Sequence, residues 1–85
     1  MKKLALAALF AAVAAPVLAE PACTPGASLK PVWEAIKTFE DQGGVVISFK
    51  INDGKCYEIY GTAGGKKLEV FFDPNTGLEL DRIEA

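Results

Sequence analysis

The chain has 85 residues, with 9 Lys/Arg, 11 Asp/Glu, two Cys and no His. That length holds one small domain and excludes any large catalytic architecture. Without histidine the commonest general base and metal ligand is missing, and the mild acid excess argues against binding a phosphate backbone, so nucleic acid is not an expected partner.

Met1-Lys2-Lys3 is a short basic start, Leu4 to Val17 is an apolar run rich in Ala and Leu, and Val17 and Ala19 stand at −3 and −1 before Glu20. This is the pattern of a secretory signal peptide over residues 1–19, cleaved after Ala19. A membrane anchor is the competing reading. The run ending at Ala19 is interrupted by Pro16 and is shorter than the roughly 20 residues a spanning helix needs. Lipid attachment would need Cys after a Leu-small-small triplet, whereas Cys23 follows Glu20-Pro21-Ala22. The Lys-Lys start and Ala-rich run look bacterial, so the expected location is the periplasm, with no membrane association after cleavage.

Residues 20–85 carry 7 Lys/Arg against 11 Asp/Glu. In an oxidising compartment their two cysteines, Cys23 and Cys56, are expected to pair. Closing a loop of about 34 residues is worth roughly 4 kcal/mol in the chain-entropy account. A redox-active pair is the weaker reading, because there is no C-x-x-C.

Residues 20–27, with two prolines and a glycine, read as an extended N-terminal arm. The domain proper spans 28–85. Ser28 is placed to cap a helix with Pro31 in its first turn. Val32, Ile36 and Phe39, with Leu29 and Trp33 beside them, form an apolar stripe at helical period, and Gly43-Gly44 ends it. The period then switches to two. Val45, Ile47, Phe49 and Ile51 alternate with Val46, Ser48 and Lys50, and Asn52-Asp53-Gly54 predicts a tight hairpin. In the second strand Tyr57 and Ile59 share one face, and Cys56, Glu58 and Tyr60 the other. After Gly64-Gly65, a third strand puts Leu68, Val70 and Phe72 on one face and Lys67, Glu69 and Phe71 on the other. Asp73-Pro74-Asn75-Thr76-Gly77 is a longer turn, and Leu78–Ile83 a short, charged strand suited to a sheet edge. One apolar helix stripe and one apolar sheet face predict an α+β domain, with one helix packed on a four-stranded antiparallel meander.

The residues offer little chemistry. Two distant cysteines cannot make a four-ligand zinc site, and the Asp73 turn lacks the ligand spacing of a calcium-binding EF-hand loop. No catalytic residue, cofactor or metal site is assigned. Glu58 and Glu69 could in principle act as an acid pair in hydrolysis, although a solvated sheet face explains them more simply. Tyr60 and Phe71 fall off the core by parity. They either form an exposed aromatic binding patch or lie under the arm, which a Cys23–Cys56 bridge would draw over them. Tyr60, Phe71, Glu58 and Glu69 are therefore the candidate binding surface.

Asn52-Asp53-Gly54-Lys55-Cys56-Tyr57-Glu58-Ile59-Tyr60 followed by Val70-Phe71-Phe72-Asp73-Pro74-Asn75-Thr76-Gly77, behind an early Cys and a helix ending Gln42-Gly43-Gly44, resembles the small secreted PepSY-type proteins. Lys55 is an insertion relative to the tighter Gly-Cys form and could shift the hairpin register by one residue. The resemblance implies the helix-on-meander fold. It also implies a peptidase as the periplasmic partner to be inhibited or modulated. The absent catalytic chemistry, the disulfide-tied fold and the off-core aromatics themselves point to a non-enzymatic binding or regulatory module that docks through its sheet face or a strand edge. The resemblance supplies no catalytic residues. A small-ligand or metal-ion binding protein stands as the alternative.

Overall fold

The structure is a computed structural model that describes residues 20–85; the expected signal peptide lies outside the described residues. One helix, α1 (Val32–Asp41), precedes four strands: β1 (Val45–Ile51), β2 (Tyr57–Ala63), β3 (Lys66–Phe72) and β4 (Glu79–Glu84). The strands form one antiparallel sheet in the order β1-β2-β3-β4, with the helix on one side. Ala35 and Phe39 of α1 pack with Tyr57, Ile59, Leu68, Val70 and Phe72 in one apolar core, the expected two-layer solution. No helix among the described residues is long and apolar enough to cross a membrane.

The helix starts differently from the expectation. Pro31 is the N-cap residue, in extended conformation, and no side chain caps the first turn, so Ser28 does not serve. The entry is held by tertiary bonds instead. The Lys30 amide donates to the Pro74 carbonyl at 2.8 Å, and the Tyr57 hydroxyl donates to the Lys30 carbonyl at 2.7 Å. The exit follows the sequence. Gly44 N–H donates to the Phe39 carbonyl and Gly43 N–H to the Glu40 carbonyl, the bond pair of a Schellman cap. Gly43 takes the left-handed conformation this cap requires, with φ 90°. Trp33 lies beside the stripe rather than in it and is 61% exposed.

The phase of β1 is also corrected. A bulge between Val46 and Ser48 leaves Ile47 without a partner, and it changes which residues face the helix. Val46 packs on the core, while Val45 and Ile47 are exposed. Beyond the bulge Phe49 pairs with Ile59 on the core side and meets Tyr57 edge-on, at 5.5 Å between ring centroids. Ile51 stays exposed, because it sits at the strand end.

Candidate functional site

The arm is the feature that shapes the side of the sheet away from the helix. Cys23 and Cys56 are joined in a disulfide, with their Cα atoms 5.2 Å apart. The Cys23 amide donates to the Gly54 carbonyl at 2.7 Å. The chain then crosses the end of the sheet to the β3–β4 turn. There Gly26 N–H donates to Asn75 Oδ1 at 2.7 Å, and Asn75 Nδ2 donates to the Thr24 carbonyl at 3.0 Å. A backbone without regular structure is thus tied at both ends by bonds of different kinds.

Both turns that receive the arm are built for it. In the β1–β2 hairpin the Lys55 amide donates to the Asn52 carbonyl, the Asn52 amide to the Cys56 carbonyl, and the Cys56 amide to Asn52 Oδ1. This is a three-residue loop in which Lys55, not Gly54, takes the left-handed position, with φ 74°. The residue that departs from the tighter family form therefore closes the loop, and Ile51 pairs with Tyr57. Gly54 has another task. A Cβ there would lie 2.5 Å from the Pro21 carbonyl oxygen and 2.9 Å from the Ala22 Cα, so glycine is needed for the arm to pass. In the second turn the Asn75 amide donates to Asp73 Oδ1 and the Leu78 amide to Thr76 Oγ1, so Asp73 and Thr76 bond within the turn while the Asn75 side chain is given to the arm.

Strand register brings Glu58 opposite Phe71 and Tyr60 opposite Glu69, all on the arm side. Of the two readings of this face, the covered one holds for Phe71 and the exposed aromatic patch does not. Phe71 is fully buried, although it belongs to no part of the helix-side core. It pairs with Glu58, two residues along the chain from the bridged Cys56, and it cannot form an exposed aromatic patch. Glu58 is also buried, at 4% exposure, rather than solvated. Tyr60 and Glu69 are partly exposed and line a hollow of about 370 Å³ together with Ser48, Lys50, Glu58 and Ala85.

Glu20, the first described residue of the arm, completes the arrangement. One carboxylate oxygen from each of Glu20, Glu58 and Glu69 lies within 4.8 Å of the others. Glu20 Oε1 accepts from Asn52 Nδ2 at 3.3 Å, and the same amide donates to the Pro21 carbonyl. Glu58 Oε1 has no hydrogen-bond partner; Lys50 Nζ stands 3.9 Å away on a side chain that is mostly in solvent. Burial pushes the Glu58 carboxyl above the ordinary carboxylate range. The Lys50 ammonium opposes that rise, and Glu20, Glu69 and Asp53 add to it. Sequence parity put Glu58 and Glu69 near each other, but nothing in it placed Glu20 with them.

The two sheet edges complete the surface. β4 presents Glu79, Asp81, Arg82 and Glu84 within six residues. Arg82 is held by Glu79 at 2.6 Å and donates to Gln42 Oε1 at 2.7 Å, which ties this edge to the end of α1. β1 carries one charged residue, Lys50, and exposes Val45, Ile47 and Ile51.

A single helix laid on a four-stranded antiparallel meander, with an arm stapled across the opposite side, defines a small α+β module without a deep cleft among its described residues. The sequence model of the family described as peptidase propeptide and YPEB domain matches residues 3–82, and the chain belongs to that family. No curated protein and no solved structure matches it significantly.

Proposed function

We propose that the protein is an exported, periplasmic, non-enzymatic module that restrains a peptidase by adding its β1 edge to the partner as an extra strand. The observation that carries this reading is the β1 edge, to which no further strand is paired among the described residues: seven residues, one charge and three exposed β-branched side chains, interrupted by a single bulge. A peptidase cleft binds extended chain, and a free strand edge offers it the same backbone geometry. Family membership points to a propeptide-like partner relation. The non-enzymatic reading is supported by the lack of histidine and by both sulfurs being in a disulfide. The signal-peptide pattern of residues 1–19 supports export.

The test is an inhibition assay against extracytoplasmic peptidases, comparing the protein with Ile47→Lys, which puts a guarding charge on the exposed bulge. The wild type should inhibit at least one of them, and the variant should lose about tenfold or more in apparent affinity, the equivalent of roughly 1.4 kcal/mol, with the fold intact. Absence of inhibition across the set would remove the peptidase reading. Inhibition unchanged by Ile47→Lys would remove the edge.

A further inference from the structure

The geometry points to a second site, independent of the peptidase reading: Glu20, Glu58 and Glu69 form a binding site for a hard divalent cation of the calcium class, closed by the arm. Three carboxylates converge within 4.8 Å, two from the sheet and one from the arm. Surface acids that merely share a neighbourhood spread apart into water. Glu58 cannot do so, because its side chain is 5% exposed and its Oε1 is buried without a hydrogen-bond donor. A buried carboxylate oxygen left unbonded is costly, and the cost falls if a cation sits against it.

The donor set selects the ion. All three ligands are carboxylates, the chain has no histidine, and both sulfurs are committed to the disulfide, so zinc and copper find none of their preferred donors. Three carboxylates supply up to six oxygens, and water in the adjoining hollow can supply the rest of a six- to eight-fold shell. Calcium tolerates such an irregular shell; magnesium demands near-ideal octahedral placement. Lys50 is a built-in competitor, and cleavage after Ala19 would add the α-ammonium of Glu20 as a second. The Lys50 ammonium stands 3.9 Å from Glu58 Oε1, but its exposed side chain is free to swing away. Asp53 adds negative charge nearby, and its influence on Glu58 is smaller than that of Glu20 or Glu69. Because Glu20 belongs to the arm, an ion held here would fasten the arm to the sheet at a point the disulfide does not reach.

Calcium chloride titrated into the exported protein, residues 20–85, purified without reductant and followed by calorimetry, tests this. The expected result is one saturable site with Kd about 10⁻⁴–10⁻³ M, the range of extracellular calcium modules, and a weaker response to magnesium. Glu69→Gln should weaken binding about tenfold or more, and Lys50→Ala should tighten it. Glu58→Gln removes a buried charge, so it should fold and yet show no saturable heat. A flat wild-type titration up to about 10 mM, well above that Kd range, would overturn the proposal. So would binding that survives unchanged in folded Glu58→Gln, because the ion would then sit elsewhere.

Discussion

The two faces of the sheet are closed by different means. On the helix side a ten-residue amphipathic helix lays Ala35 and Phe39 onto Tyr57, Ile59, Leu68, Val70 and Phe72, and burial of apolar surface does most of the holding. On the arm side an irregular segment hides Phe71, Cys56 and Glu58 and is held by a covalent bond and a few named hydrogen bonds. A domain of this size has too little core to protect two apolar faces with helices, and its described residues include one helix. The arm side therefore contains what an apolar layer would exclude: a buried carboxylate, a hollow and polar neighbours. Chemistry is possible on that face because its cover is short and leaves Tyr60, Glu69 and the hollow open.

The sharpest way to break the comparison is to truncate one phenylalanine on each side. Phe39→Ala should cost about 3–5 kcal/mol in denaturant unfolding, whether or not the disulfide is present. Phe71→Ala should cost a comparable amount in the oxidised protein and markedly less once Cys23 and Cys56 are both Ser, because its cover is then loose. An equal cost for Phe71→Ala in both backgrounds would mean that the arm does not protect it. The Cys23→Ser, Cys56→Ser change alone should lower stability by roughly 4 kcal/mol, given 33 positions between the bridged residues. Asn75→Ala comes next. It removes both polar ties between the arm and the β3–β4 turn and should cost about 1–2 kcal/mol by chemical denaturation, about one net hydrogen bond's worth for each tie.

The smallest effects distinguish the faces by pH. Glu58 on the arm side has its carboxyl raised by burial, whereas Glu79 on the other side has its carboxyl lowered, chiefly by the hydrogen bond from Arg82. A raised carboxyl contributes stability that is present below its unfolded value and lost as pH climbs through the folded one. A lowered carboxyl contributes stability that is present above its unfolded value and lost as pH falls through the folded one. Glu58→Gln should therefore raise the unfolding midpoint at neutral pH, with the gain vanishing below the ordinary value of 4.5. Glu79→Gln should lower the midpoint at neutral pH and converge with wild type in acid. Parallel pH profiles for the two variants would contradict the assignment of opposite environments.

Much of the architecture was readable because its signals are local. The switch from helical to two-residue period, the paired glycines after α1 and the Asp73–Gly77 turn each specify their own backbone, and the meander follows from short connections. The β1 bulge was hidden. Val45, Val46 and Ile47 are all apolar and β-branched, so a change of phase among them leaves no mark in the pattern. Trp33 misled for a related reason: a large apolar residue beside a stripe looks like part of it, while packing chose Ala35 and Phe39.

The candidate site was less legible. Parity gave Glu58 and Phe71 their face, and it separated them from the core correctly. Parity alone does not say that this face is covered, because the cover lies more than 30 positions upstream; the pairing of Cys23 with Cys56 is the signal that points to it. Gly54 read as a turn glycine, yet Lys55 adopts the turn's left-handed conformation and Gly54 clears a path for Pro21 and Ala22. Asn is an ordinary turn residue that can bond its own backbone, so nothing in the sequence marks the Asn75 side chain as the anchor of Gly26 and Thr24.

The arm docked over the second face is the claim on which the stability and cation arguments converge, and amide hydrogen exchange at Cys23 and Gly26 tests it most directly. Neither residue lies in a helix or strand, so protection there can come only from the bonds to Gly54 and Asn75. Both amides should exchange slowly in the oxidised protein and lose that protection when Cys23 and Cys56 are replaced by serine. Rapid exchange at both positions in the oxidised protein would show the arm free of the sheet and contradict the account.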